Sequence, residues 1–440
     1  MQVVLERPGV WAGGVVRGTA YFHNATRPVS YDAVYVEFVG TENNWFQEWV
    51  GGAGANSGFE SDHMMRERDD YRVYSYEAPV IKVRLPLVPQ GSGSLGLGSY
   101  EFPFAVALPR DLPGSAKYEA MDARGYIEYK VKAVVDQAGF LAMDFSASAP
   151  LSVLQRAPRP PRPLRQQAEA QLTAGCCCFK SSQGVVILRV EAAADTYFLA
   201  ASRAVEFTAW VDNRSDGAAL SGVEASLVRV ASFLNPRGQL CFKDSEVVAK
   251  AKLPLPAGGL PPGASHVFPG ASLPLDPRMQ PSAAGRLVKI TYELRVEAAA
   301  EGLLMSTSSV SPQITLAPGR PPPPPGGKAG GAAPAPAPER PPPPAGWSKP
   351  QRLGAALYSL DQAGSFKTLS QGELDALALQ GGDDAAPSAP PEGGGGAGGG
   401  GGAGAGGGGG GAPVPHGAGW MGGPAEGGGA GVDGYPAISR

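Results

Sequence analysis

Three of the four cysteines in the chain stand side by side in AGCCCFKSSQG, as Cys176, Cys177 and Cys178. Adjacent thiols invite three chemistries: metal binding, redox exchange and lipid attachment. A structural zinc takes four ligands, commonly in two pairs such as C-x-x-C and H-x-x-H. The remaining cysteine is Cys241, and no histidine stands near the triplet. In a strand, Cys176 and Cys178 face one way and Cys177 the other, so the three cannot chelate together without a turn. A catalytic thiol wants a partner base, and no pattern marks one. Two readings stay open: a run of small buried hydrophobes that opens a strand, and reversible acylation of Cys177 or its neighbours, just after a basic segment.

Other reactive residues do not converge. His23, His63, His266 and His416 are scattered without metal spacing. No G-x-S-x-G elbow, phosphate-binding loop or dinucleotide fingerprint follows a strand. The polyglycine run lacks the preceding strand, the following helix and the terminal Lys-Ser/Thr that a phosphate loop needs. The expectation is a non-enzyme with no cofactor and no metal. A net charge of −3 gives no global field toward nucleic acid or anionic membrane. The opening MQVVLERPGVWAGG has no basic region before an apolar core, so it does not read as a signal peptide. No apolar run reaches the roughly 18 residues of a membrane span. Cysteine usage of this kind fits a reducing, cytoplasmic setting.

What chemistry remains is recognition by short motifs. Pro160, Pro163 and Arg165 form P-x-x-P-x-R, a ligand pattern for polyproline-binding domains, or a rigid solvated hinge. Arg156, Arg159, Arg162 and Arg165 could instead touch anionic lipid as a peripheral contact. Tyr435 and Ile438 form Y-x-x-Φ, a pattern that clathrin adaptors read and that chance also supplies.

Four regions must carry these residues. Residues 1–154 read as strands: in YDAVYVEFVG, Val34, Val36 and Phe38 alternate with Tyr35, Glu37 and Val39. In GYIEYKVKAVVD, Ile127, Tyr129, Val131, Ala133 and Val135 share one face. Period-two alternation places one face on a core and the other in water. Residues 155–175, QRAPRPPRPLRQQAEAQLTAG, read as an Arg/Pro-rich linker, because proline cannot join a sheet interior. Residues 176–317 return to strands, most clearly in LVKITYELRVEA, where Val288, Ile290, Tyr292, Leu294 and Val296 alternate with polar residues. Residues 318–440 hold the polyproline and polyglycine runs and read as a disordered tail, since such composition buries too little apolar surface to offset ordering entropy. One exception lies within it: Ser370 and Glu373 make an S-x-x-E cap before Leu374, Leu377 and Leu379, a short helix or a transient turn. The fold class is all-β, with two tandem immunoglobulin-like antiparallel β-sandwiches followed by a Gly/Pro-rich tail.

The order of segments resembles the arrestin family. GVWAGGVVRGTAYFHNATRPVSYDAVYVEFVGTENNWF is similar to the opening strands of its first domain. GSYEFPFAVALPRDLPGS resembles its G-x-Y/H-x-F-P-F-x-hydrophobic-x-L-P-x-x-L-P-x-S, and ARGYIEYKVKAVVD its G-x-I-x-Y-x-V-K-A-x-hydrophobic-D. CCCFKSSQGVVILRVEAAADTYFLAASRAVEFTAWVDNRSDGAA is similar to the start of the second arrestin domain, with Val211, Asn213 and Ser215 at the family's hydrophobic-x-N-x-S. The likeness covers roughly residues 1–317 and is nearest the alpha-arrestin branch. It implies an adaptor that binds cytoplasmic tails of membrane proteins and couples them to endocytosis or trafficking, at the plasma membrane or endosomes. The alternative it leaves is a structural, cargo-binding subunit of a sorting coat, as in arrestin-fold retromer proteins. Two departures bear on partners. Only Arg7 stands where visual and beta-arrestins carry paired phosphate-sensing lysines, and no P-P-x-Y motif offers a route to a ubiquitin ligase.

Overall fold

The computed structural model describes residues 1–49, 71–89, 91–139, 142–157, 159–174, 181–300, 307–319, 350–361 and 365–381, all within one body spanning Met1–Pro390. The first sandwich opens with β1 (Gln2–Leu5), β2 (Gly9–Trp11), β3 (Val15–Asn24), β4 (Val29–Trp49) and β5 (Tyr71–Pro86). It continues with β6 (Gly93–Leu95), β7 (Gly98–Ala107), β8 (Ala116–Glu119), β9 (Ala123–Gln137) and β10 (Phe145–Leu154). One of its sheets runs β1-β3-β7 and the other β2-β10-β9-β4-β5, with β6 on β4 and β8 on β9. The alternation read from the sequence is the packing: Val34, Val36 and Phe38 on β4, and Ile127 through Val135 at every second position on β9, are all buried.

The second sandwich comprises β11 (Leu164–Ala174), β12 (Ser181–Ala192), β13 (Thr196–Phe198), β14 (Ala204–Ser215), β15 (Leu220–Leu234) and β16 (Leu240–Leu253). It is completed by β17 (Ser265–Pro274), β18 (Ala283–Ala284), β19 (Val288–Ala300), β20 (Thr307–Val310) and β21 (Gln313–Ala317). Its sheets run β11-β12-β14-β17 and β13-β21-β19-β15-β16, with β18 and β20 on β19. Most pairing is antiparallel, but β2 joins β10, and β13 joins β21, in parallel. These short parallel strands close the edges of sheets whose long strands are hairpin-connected.

Two boundaries differ from the sequence reading. The stretch read as a linker ends at Pro163, and Leu164–Ala174 is an edge strand antiparallel to β12. Its buried phase is built from Leu164, Ala168, Ala170 and Leu172, of which only Leu172 is fully covered. Alanine gives a faint hydrophobic period, which the neighbouring prolines masked.

The second difference is larger. Part of the tail folds: β22 (Gln351–Arg352), β23 (Ala356–Leu360), β24 (Phe366–Thr368) and α1 (Gln371–Gly381). β22 and β23 pair in parallel with β7, and β24 turns back on β23, so the first sandwich gains a strand from the far end of the folded chain. The S-x-x-E pattern is a formed capping box. The Ser370 backbone N–H donates to Glu373 Oε2 at 2.8 Å, and the Glu373 N–H donates to Ser370 Oγ at 3.3 Å. Tertiary burial of Leu374 stabilises a helix too short to persist alone.

Candidate functional site

The described reactive residues stay apart. His23 Nδ1 shares a 2.9 Å hydrogen bond with Ser99 Oγ on the first sandwich, whereas His266 packs edge-on against Phe268 on the second. Cys241 is exposed on β16, its thiol 3.5 Å from the Gln239 carbonyl. Among the described residues, no group of three or more His, Cys, Asp and Glu side chains is placed to hold one metal ion. No described helix is long and apolar enough to cross a membrane. Cys177 and its two neighbours, and Tyr435 with Ile438, lie outside the described residues.

The Arg/Pro segment is tied to both sandwiches. Arg156 Nε donates to the Ala12 carbonyl at 3.2 Å, and its guanidinium lies over the Trp11 ring at 5.7 Å. Arg159 pairs with Asp195 at 2.6 Å, and the Arg162 backbone both donates to and accepts from Asp195. Arg165 pairs with Glu191 at 2.6 Å. Burial alone would raise the Asp195 carboxyl. Hydrogen bonds from the Arg162 N–H, Thr196 and Arg159 outweigh it and hold the group below the usual carboxylate range. Pro160 and Pro163 remain exposed. A lipid or peptide recruiting the side chains of Arg159 and Arg165 therefore competes with Asp195 and Glu191.

The joint between the sandwiches was missed by sequence reasoning. On β4 the inward phase continues past Phe38 to Glu42, Asn44 and Phe46, the first two only 2% and 1% exposed. Glu42 accepts N–H bonds from Arg286 at 3.0 Å and Leu287 at 2.6 Å, both in the second sandwich. Asn44 Nδ2 donates to the carbonyls of Leu234 and Leu287, each at 3.0 Å. A buried carboxylate is tolerated when hydrogen bonds replace its water, and Glu42 receives them from backbone amides. A Cβ at Gly285 would stand 2.5 Å from the Glu42 carboxylate, so that turn needs glycine.

Aromatic rings finish the contact. Phe233 stacks at 6.2 Å on Phe46 and meets the edge of Tyr118 at 6.0 Å, and Phe242 stacks at 5.3 Å on Phe46. A Cβ at Gly125 would lie 2.5 Å from the Phe233 ring, so a bare backbone on β9 lets that ring seat. The Tyr118 hydroxyl donates to Asp244 at 2.8 Å, while Arg229 spans the Tyr118 ring and Glu246. Burial, then the bond to Asp244, pushes the Tyr118 phenol well above its ordinary pKa, so it stays a donor. The signal that could have revealed this joint is the polar pair Glu42 and Asn44 in the buried phase of a strand.

Asn213, singled out by sequence pattern, is fully buried. Its Nδ2 donates to the carbonyls of Ala218 and Leu260, each at 2.9 Å, stitching two loops of the second sandwich together. It is a fold-holding residue.

Among the described residues, two depressions bear on the site. One of about 250 Å³ lies at the joint, lined by residues including Glu42, Pro79, Pro109, Asp111 and Arg286. The other, an open hollow of about 610 Å³, lies between Glu37, Lys82 and Arg84 on one side and Ser365 and Phe366 on the other.

This arrangement of broad sheets, edges and shallow hollows suits binding of extended chains. The family described as arrestin (or S-antigen), N-terminal domain, matches residues 2–156. A stretch of 145 residues is 30% identical to "Arrestin domain-containing protein A" of Dictyostelium discoideum, covering 31% of this chain and 23% of the relative. This chain thus spans less than a quarter of that protein's length. Residues 2–156 thus match the arrestin N-terminal domain, and the likeness to an arrestin domain-containing protein supports an alpha-arrestin-like kinship for that part of the chain.

Proposed function

We propose that the chain is a cytoplasmic adaptor that binds cytoplasmic parts of membrane proteins and couples them to endocytosis or wider trafficking. The observation that carries this reading is the arrestin N-terminal match over a first sandwich joined to a second by a buried interface. Exposed sheet edges and hollows recognise extended peptides by main-chain bonding plus side-chain pockets, which is adaptor physics. Peripheral attachment through the linker arginines requires loosening surface pairs such as Arg165–Glu191, which is a small barrier. The chain has no P-P-x-Y motif, so a ubiquitin ligase would have to be reached by another route.

Proximity labelling in the chain's own cells tests the reading, with the intact protein compared with a form ending at residue 381. The expected result is transient labelling of membrane-protein cytoplasmic segments and trafficking factors, reduced when the tail is removed. Stable co-purification with coat subunits at fixed stoichiometry, unchanged by removing the tail, would instead assign a coat subunit.

A further inference from the structure

The run RPPRPLR, residues 159–165, leads from β10 into β11. Proline sets its backbone. Pro160, Pro161 and Pro163 fix φ at about −65°, and the residues ahead of them, Arg159, Pro160 and Arg162, are pushed to extended angles. These are the angles of a polyproline helix, whose three residues per turn give it three edges. Pro160 and Pro163 share one edge, Arg162 and Arg165 a second, and Pro161 and Leu164 the third. Leu164 packs against the core, so the third edge turns toward the protein there. Pro160, Arg162, Pro163 and Arg165, on the other two edges, are all exposed.

The protein holds the middle of this run by its backbone. The Arg162 N–H donates to the Asp195 carboxylate at 3.1 Å, and the Arg162 carbonyl accepts from the Asp195 N–H at 2.7 Å. Arg165 is held only at its head: its side chain is 71% exposed and pairs with Glu191 at 2.6 Å. A backbone set in advance needs little further ordering on binding. Two outward prolines three residues apart, with an arginine two residues on, fit a groove whose aromatic walls take the prolines and whose carboxylate takes the guanidinium. A membrane plane fits less well. Arg156 is engaged by the Ala12 carbonyl and the Trp11 ring, Arg159 by Asp195 and Arg165 by Glu191, so these arginines address separate places with two of their charges already paired.

We propose that residues 159–165 are a preformed ligand for a folded polyproline-binding domain of the SH3 type. Pro160 and Pro163 enter its aromatic groove, and Arg165 transfers from Glu191 to an acidic pocket of that domain. The exchange of one carboxylate for another around Arg165 sets the affinity, so removing the Glu191 charge strengthens binding. The sequence motif by itself carries no such effect, because it contains no Glu191. This goes beyond the adaptor reading by adding a docking point for a second protein. The test below contains no membrane protein, so it can fail while cargo capture stands, and the reverse.

The full chain is titrated by calorimetry with a purified SH3 domain that prefers P-x-x-P-x-R peptides, and saturable binding is expected. Arg165→Ala should weaken it about tenfold or more, through loss of a charge-assisted pair. The double change Pro160→Ala and Pro163→Ala should weaken it about tenfold as well, through loss of the pre-set backbone and the groove contacts. Glu191→Gln should tighten it about two- to fivefold. No binding to the unaltered chain, indifference to Arg165→Ala or to the double change, or unchanged or weaker binding of Glu191→Gln would overturn the proposal. If a variant loses its thermal transition, the unaltered chain decides, titrated with an SH3 domain whose acidic pocket is neutralised. A loss of about tenfold there supports the proposal, and equal binding overturns it. Sedimentation of the chain with phosphatidylserine vesicles through Arg165, with no binding of the SH3 domain, would assign the run to a membrane and overturn it too.

Discussion

The joint between the sandwiches and the joint between β7 and the C-terminal strap both bring together pieces far apart in sequence, but they are built from different materials. At the first, Glu42 and Asn44 take four backbone partners inside a ring of aromatics, at 2% and 1% exposure. Any separation of the sandwiches leaves those groups to be resolvated together. At the second, a short parallel pairing and a few apolar anchors hold a segment whose charged contacts, Arg352 to the buried Glu101 at 3.9 Å and Arg17 to the exposed Asp375 at 3.6 Å, are long. Buried polar bonds fix one arrangement because their loss is expensive, whereas apolar anchors accept any side chain of similar shape. One joint is suited to permanence and the other to exchange.

Substitutions sharpen that contrast. The largest effect is expected from Phe233→Ala, which empties the centre of the aromatic contact and should destabilise by about 3–5 kcal/mol, read by calorimetry. Glu42→Ala follows, at about 2–3 kcal/mol, because the Arg286 and Leu287 amides lose their acceptor in a buried place. Asp195→Asn should act more weakly, and its signature is in pH. A carboxyl held below its ordinary pKa contributes stability that is full above the unfolded value of about 4 and is lost as pH falls through the native value. Denaturant unfolding of the natural chain should therefore weaken in that acidic window, and the asparagine variant should show a shallower dependence there. Arg165→Ala is expected to be smallest, within about 1 kcal/mol, since its partner Glu191 is shared with Arg189 at the surface.

Much of the sheet architecture could be read from side-chain alternation, because β4, β9 and β19 are long and place large apolar residues at most of their buried positions. β11 escaped because alanine supplies half of its covered phase and prolines stand just before it. The strap escaped for a different reason. Leu357–Leu360 is too short to carry a period, and its partner strand lies some 250 residues earlier, a pairing that local pattern cannot encode. The capping box at Ser370 and Glu373 was visible, but whether it forms is decided by burial of Leu374 against β3 and β7, which is tertiary information. At the joint, Glu42 and Asn44 went unread, although they extend the buried phase of β4 with polar residues. What they bond to was not, since backbone amides of a second domain leave no mark in sequence.

Native-state hydrogen exchange of the full chain tests the contrast most directly. Amides of residues 356–360 and 371–377 are expected to exchange through an opening that leaves residues 42–46, 230–234 and 287–292 protected, with the strap released at far lower free energy than the joint. Equal protection of the strap and the joint, rising and falling together with denaturant, would contradict it.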